Sequence, residues 1–273
     1  MKNLYIIILL TFGLGQDYSL QFDGVDDEVS ISSSLDFTNL SSNDFTISLW
    51  AKFYSNNSWE GILNKGYMTS SANGFLLRRS EYNTIYVSRS DGPDQGQYST
   101  IFWGTTSVSA DNLYHIVLTR NNNVYTIYIN GEFDNSDEIV TTPNGIWYND
   151  ADIILGKGNP NLSNEMLDGQ LDEIGIWNIA LPQESIYTLY VNGTSSDANV
   201  STSNLIAHYK FNTGIGDTLY DYSGNDNHGT INGATWVEDI YGCTDPYASN
   251  FNEEANVDDG SCEYDMVAYY PFN

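Results

Sequence analysis

Nine residues, Phe45-Thr-Ile-Ser-Leu-Trp-Ala-Lys-Phe53, alternate with a period of two. Successive side chains of a strand point to opposite faces, so Phe45, Ile47, Leu49, Ala51 and Phe53 make one apolar face. Thr46, Ser48, Trp50 and Lys52 fall on the other. A helical period would scatter the same residues around its circumference. The pattern recurs along the chain: Tyr18, Leu20 and Phe22 alternate before an Asp23-Gly24 turn, and Val29 and Ile31 resume it. Tyr114–Arg120, three asparagines and Val124–Ile129 read as a hairpin, and Asn130-Gly131 suits a type I′ turn into the next strand. Further strands are expected at 61–65, 74–78, 84–88, 99–102, 152–156 and 170–177. Only Leu181–Tyr190 reads as a helix: Pro182 suits a first helical position, Ile186, Leu189 and Tyr190 share a face, and Asn192-Gly193 ends it. Many short strands with turn residues between them indicate an antiparallel sandwich.

Charge narrows the partners. The chain has 9 Lys and Arg against 36 Asp and Glu, a formal net charge of −27. That field repels phosphate backbones, which excludes nucleic acid, and it suits divalent cations held by oxygen ligands. At the N-terminus, Met1-Lys2-Asn3 is basic, Leu4–Leu10 with Phe12 is apolar, and Gly13-Leu14-Gly15 is small. This reads as a secretory signal peptide over 1–15, too short to span a bilayer stably, with cleavage leaving Gln16 first. No second long apolar run follows, so no membrane insertion is expected, and the mature chain is expected to be secreted or at the cell surface. There, Cys243 and Cys262 are expected to pair, stabilising their loop by on the order of 3 kcal/mol.

The organisation is modular. Residues 16–203 form the sandwich region and end in the polar stretch 194–203. Residues 204–239 form a β-like annex, and 240–264 a cysteine-bounded spacer. At 265–273 a further repeat opens: Met266–Asn273 copies Leu205–Asn212, with identity at Ala207/Ala268, Tyr209/Tyr270, Phe211/Phe272 and Asn212/Asn273. A repeat that restarts there leads us to expect a piece of a longer modular protein.

Four stretches resemble the LamG-like jelly-roll domain of the concanavalin A-like lectin/glucanase superfamily. Leu20–Asp27 resembles its FDGxDD strand and turn, and Phe45–Lys52 its FTIxxW strand. Tyr114–Arg120 through Tyr128–Gly131 resembles the WHHVAVT…YVNG hairpin, with Tyr114 in place of the usual Trp. Leu167–Asn178 through Leu181 and Tyr190 resembles the GxxDExxIWNxxL…LY ending. The resemblance implies an all-β, antiparallel jelly-roll β-sandwich in a secreted modular bacterial protein. The annex resembles the lead-in to such domains. It either completes the first sandwich or begins another; we favour the first, because this domain lacks a lead-in and Cys243 soon opens a different module. Cys243–Cys262 is similar to a short repeat found between domains of exported bacterial proteins.

The superfamily includes glycoside hydrolases carrying E-x-D-x-x-E, whose carboxylates serve as nucleophile and acid/base. Neither near match qualifies: Glu132-Phe-Asp134-Asn-Ser-Asp137 ends in the wrong acid, and from Glu173 the required positions hold Gly175 and Asn178. His115, His208 and His228 are scattered. The resemblance implies a structural calcium where the first turn meets a late strand, with Asp23, Asp26 and Asp172 as ligands; otherwise these acids cap a turn or are solvated. Asp245, Asn256, Asp258 and Asp259 also offer oxygens, but without EF-hand spacing, and turn roles are favoured. Sugars stack on exposed aromatic faces, which makes Trp50, Trp59, Trp103 and Trp147 the ligand-binding candidates, each of which could instead serve packing. Trp177 and Trp236 read as structural. The expectation is a non-catalytic module for adhesion that binds a carbohydrate, matrix component or surface polymer. The alternatives are a purely structural adhesin repeat or the accessory domain of an exported glycoside hydrolase.

Overall fold

The computed structural model describes residues 17–32, 43–56, 58–69, 72–91, 101–138, 151–159, 165–194 and 204–265. The expected signal peptide, Trp147 and the repeat at 266–273 lie outside these residues. The first six strands are β1 (Tyr18–Asp23), β2 (Glu28–Ile31), β3 (Phe45–Phe53), β4 (Glu60–Thr69), β5 (Ala72–Arg79) and β6 (Ile85–Asp91). Then come β7 (Ile101–Trp103), β8 (Leu113–Asn121), β9 (Val124–Ile129), β10 (Glu132–Glu138), β11 (Ile153–Leu155) and β12 (Asp168–Trp177). The helix α1 (Gln183–Asn192) precedes β13 (Leu205–Tyr209), β14 (Thr218–Leu219), β15 (Gly229–Asn232) and β16 (Thr235–Glu238). A short parallel pair, β17 (Tyr241–Gly242) and β18 (Val257–Asp258), closes the described chain.

Two antiparallel sheets form the jelly-roll sandwich. The first runs β10-β9-β8-β3-β12-β1-β16, with β13 also on β12; the second runs β14-β15-β2-β11-β4-β5-β6-β7. Two strands share one edge of β12. Its first half pairs with β1 (Leu20 opposite Leu171) and its second half with β13 (Ile174 opposite Tyr209). Between the halves, Glu173 takes a positive φ of 43° and the register to β3 shifts. Strands from 204–239 therefore enter both sheets, β13 and β16 in the first and β15 in the second.

The apolar faces read from alternation meet in one core. Phe45, Ile47, Leu49, Ala51 and Phe53 of β3 pack there with Leu20, Phe22, Phe75, Leu77, Ile116 and Leu118, among others. The first sheet is covered on its outer side too: Val117 and Trp177 bury against Leu181, Ile186 and Leu189 of the helical segment. Pro182 sits at the N-cap rather than the first helical position, and Gly193 ends the helix at φ 72°. At the core margin, Arg79 is fully buried, ion-pairs with Glu60, and lies 4.5 Å over the Phe53 ring.

Candidate functional site

The register of β5, β6 and β7 sets a row of side chains. Arg78 lies opposite Tyr86, and Tyr86 opposite Trp103. Their neighbours Leu77, Ile85, Val87 and Phe102 belong to the core, so alternation turns Arg78, Tyr86 and Trp103 to the outer face of the second sheet. Trp59, immediately before β4, joins them at 5.5 Å from the Tyr86 ring and 5.9 Å from Trp103. The Arg78 guanidinium lies 4.1 Å over Trp59 and 4.7 Å over Tyr86, a cation–π arrangement. Tyr82, in the β5–β6 turn, is 68% exposed with its ring 5.9 Å from Trp103. Tyr86 is buried, while Trp59 and Trp103 are half-buried.

Neighbouring loops hold this row. Glu165 ion-pairs with Arg78, and its second oxygen accepts from the Asn159 amide at 2.9 Å. Residues 157–158 lie against β4 because Gly61 has no side chain, a Cβ there falling 1.7 Å from the Gly158 nitrogen, and the Gly158 amide donates to the Glu165 carbonyl at 2.8 Å. Below Trp103, the Asp134 carboxylate accepts from the amides and hydroxyls of Thr105 and Thr106, at 2.6–2.9 Å. Asp134, one of the acids weighed for hydrolysis, is thus tied into a structural junction.

The structure brings Trp59 and Trp103 together but not Trp50. Trp50 does point away from the core stripe of β3, yet it is only 9% exposed. Its ring stacks on Tyr190 of α1 at 5.8 Å and tilts against His115 at 5.1 Å. Helix α1 covers this part of the outer face, so Trp50 is a packing residue here. Sequence reasoning misses Arg78, Tyr82 and Tyr86; the Phe75–Leu77 alternation already signals that Arg78 points outward.

The acids divide likewise. Asp23, Asp26 and Asp27 bring carboxylate oxygens within 4.8 Å of one another at the β1–β2 turn. Asp27 Oδ2 accepts from the Asp23 amide at 2.9 Å, and Asp23 Oδ1 from Val25 at 2.8 Å, leaving further oxygens for a hard cation. Burial, followed by the nearby Asp23 and Asp26 charges, raises the Asp27 pKa. Asp172 is not part of this group. The β12 residue facing Asp23 is Asp168, and Asp172 lies four positions on, roughly 13 Å along the strand. In the cysteine loop the disulfide Cys243–Cys262 is formed. Asp245, Asp258 and Asp259 each accept from the amide two residues on, as turn-forming carboxylates do.

One pair has the outline of an activated nucleophile: Ser48 Oγ and His115 Nε2 are 2.8 Å apart. His115 is 1% exposed, its Nδ1 has no partner, and burial alone pushes its pKa down to about 3. A pair roofed by Trp50 and Tyr190, with no acid orienting the imidazole, is built for packing rather than attack.

Two antiparallel sheets packed face to face around one core, with a helix outside the first, define a jelly-roll sandwich. Residues 22–187 match the Laminin_G_3 family of the concanavalin A-like lectin/glucanases superfamily, and the chain belongs to it. No curated protein matches the chain. Among solved structures, it is similar to a candidate carbohydrate binding protein from Bacteroides ovatus. There the TM-score is 0.56 at 16% identity, covering 82% of this chain and 60% of that one. It is also similar to the heptameric SAP-like pentraxin of Limulus polyphemus, with TM-score 0.52, 11% identity, and 82% and 95% of the two chains covered. The chain thus spans about three fifths of the Bacteroides protein's length, and both likenesses are of fold.

Proposed function

We infer that this chain is a non-catalytic glycan-binding module, taking sugar on the outer face of the second sheet at Trp59, Tyr82 and Trp103. The observation that carries this reading is the row Arg78–Tyr86–Trp103 with Trp59 stacked under the guanidinium. Aromatic faces accept the apolar C–H faces of sugar rings, and polar groups beside them fix orientation. The net charge of −27, and the engagement of Arg78 by Glu165, favour neutral over acidic sugars. The likeness in fold to the Bacteroides protein supports the same class. The basic–apolar leader over 1–15 and the disulfide favour a secreted or surface location, where a surface or matrix polymer would be the partner. Calcium at Asp23, Asp26 and Asp27 would brace the β1–β2 turn.

A glycan array, followed by titration calorimetry on hits, tests the binding. Trp103→Ala is expected to weaken binding about five- to tenfold, since a stacked aromatic contributes about 1–1.5 kcal/mol. No binding by folded protein across neutral glycans would sink the proposal. An EDTA-dependent fall in melting temperature, reduced in Asp26→Asn, is expected for the turn cation.

A further inference from the structure

The disulfide loop does not close fully onto the first sheet. Between them lies a cleft of about 550 Å³, within the roughly 300–1,000 Å³ of small-molecule sites. Tyr190 of α1 lines it, half-buried and backed by Trp50, whose ring stacks on it at 5.8 Å. The sandwich contributes Asp111 before β8 and Asn130 after β9, and the loop contributes Thr244, Asp258 and Gly260.

Both sides of the cleft are fixed before any ligand arrives. Asn256 pins the loop: its carbonyl accepts from Lys52 Nζ at 3.2 Å, its Oδ1 from the Ile240 amide at 2.7 Å, and its Nδ2 donates to the Glu238 carbonyl at 2.9 Å. The Cys243–Cys262 bond ties the Thr244 end of the loop to the Gly260 end. On the sandwich side, Asp111 takes a positive φ of 63°, and its amide donates to the Phe53 carbonyl at 2.7 Å. Asn130 Oδ1 accepts from the His115 amide at 2.9 Å, which leaves its Nδ2 to donate.

The charges in the lining are unbalanced. Asp111 and Asp258 are exposed, and Asp258 Oδ1 accepts only from the Gly260 amide at 3.1 Å among backbone donors. Neither the Asp111 carboxylate nor Asp258 Oδ2 has a protein partner among the described residues, and Lys52 spends its ammonium on Asn256. We propose that this cleft is a second ligand site, which takes an amino sugar with a free ammonium group, its ring face on Tyr190 and its charge drawn by Asp111 and Asp258. An acidic sugar would be repelled, and a neutral one would desolvate both carboxylates without replacing their water. A lysine side chain of a peptide needs an apolar channel for its stem, and beyond the aromatics only Leu113 and Ala255 are apolar in this lining. A metal ion is not favoured either: the one group of three acids within ligand reach among the described residues is Asp23–Asp26–Asp27. The cleft belongs to the first sheet and the disulfide loop, so it does not rest on binding at Trp59, Tyr82 and Trp103.

The test is titration calorimetry of the whole chain with a fully deacetylated glucosamine tetramer, the N-acetylated tetramer and tetralysine. It is run at about pH 6, below the pKa of such an amine. The deacetylated tetramer is expected to bind about fivefold tighter than the acetylated one, and more weakly as salt is added. Asp111→Asn and Asp258→Asn, which keep an oxygen at each position, should each weaken it about two- to fivefold. Reducing the disulfide should abolish this binding, whereas Trp103→Ala should leave it unchanged. Amide shifts in labelled wild-type protein decide independently of variant folding, with changes expected at Asn130, Thr244 and Gly260. The proposal is overturned if the deacetylated tetramer does not bind, or binds no tighter than the acetylated one. It is equally overturned if tetralysine binds as tightly at the same residues, or if Trp103→Ala removes the binding and the shifts fall in β5–β7.

Discussion

His115 sets up a sharp acid test. Its ring lies between Trp50 and Tyr190, with Nε2 2.8 Å from Ser48 Oγ, and burial pushes its pKa from 6.5 to about 3. The folded chain therefore refuses a proton that the unfolded chain accepts. A base whose folded pKa is depressed contributes full stability above its unfolded value and loses it progressively as pH falls towards the folded value. Between pH 7 and pH 5 that loss is about 2 kcal/mol from this one group, growing to roughly 4 kcal/mol near pH 3. Burial also raises Glu173 to about 7 and Asp239 to about 6. Raised carboxyls work in the opposite sense: their contribution is complete below the unfolded pKa and is lost as pH rises through the folded value. The wild-type profile thus mixes opposing slopes, but a difference between variants isolates His115. His115→Gln keeps a hydrogen-bonding group near Ser48 and loses the ring contacts, so at neutral pH it should be less stable by about 1–2 kcal/mol. In urea unfolding followed by tryptophan fluorescence, that gap should close or reverse at pH 5. An unchanged gap at both pH values, with equal m-values, would refute the burial of a neutral imidazole.

Two further outcomes follow from the packing. Reducing Cys243–Cys262, nineteen positions apart, should destabilise the loop by about 3 kcal/mol, seen as faster hydrogen exchange over 240–264 while β3 and β12 stay protected. Loss of protection in β3 as well would mean that the loop and sandwich open together. Arg79→Met strands the buried Glu60 carboxylate and should cost about 3–5 kcal/mol by chemical denaturation; adding Glu60→Gln should recover much of it, and additive losses would argue against the pair.

The parts legible from sequence are those set by local period. Alternation in β3 predicts which five residues reach the core, and Asn130-Gly131, with φ of 51° and 78°, turns β9 into β10 as its composition implies. Lateral register is not local. Nothing in the spacing of Arg78, Tyr86 and Trp103 says that they form a row, because that depends on how β5, β6 and β7 slide past one another. Asp172 shows the same limit in another form. Its strand was readable, but the partner of Asp23 is set by the β1–β12 register, and this selects Asp168. The acid that completes the turn group, Asp27, sits beside Asp26 in sequence. Its inclusion depends on the turn bringing its carboxylate back to the Asp23 amide.

Trp50 and Trp103 show why outward alternation alone does not make a binding residue. Both leave the core on the outward phase of a strand. Outside the first sheet, however, the chain supplies α1, whose Ile186 and Leu189 need an apolar surface and find it on Val117 and Trp177. Trp50 is then stacked under Tyr190. Further along the same face, the cysteine loop settles over Asp172 and Lys52. Covering that face buries charge and aromatic surface alike, and burial raises the pKa of both Asp172 and Asp239. On the second sheet the fate differs, because Arg78 neutralises Glu165 in place and Tyr82 remains 68% exposed beside Trp103. The two outer faces therefore differ: a helix and the cysteine loop cover one, and on the other Tyr82 stays exposed beside half-buried Trp59 and Trp103.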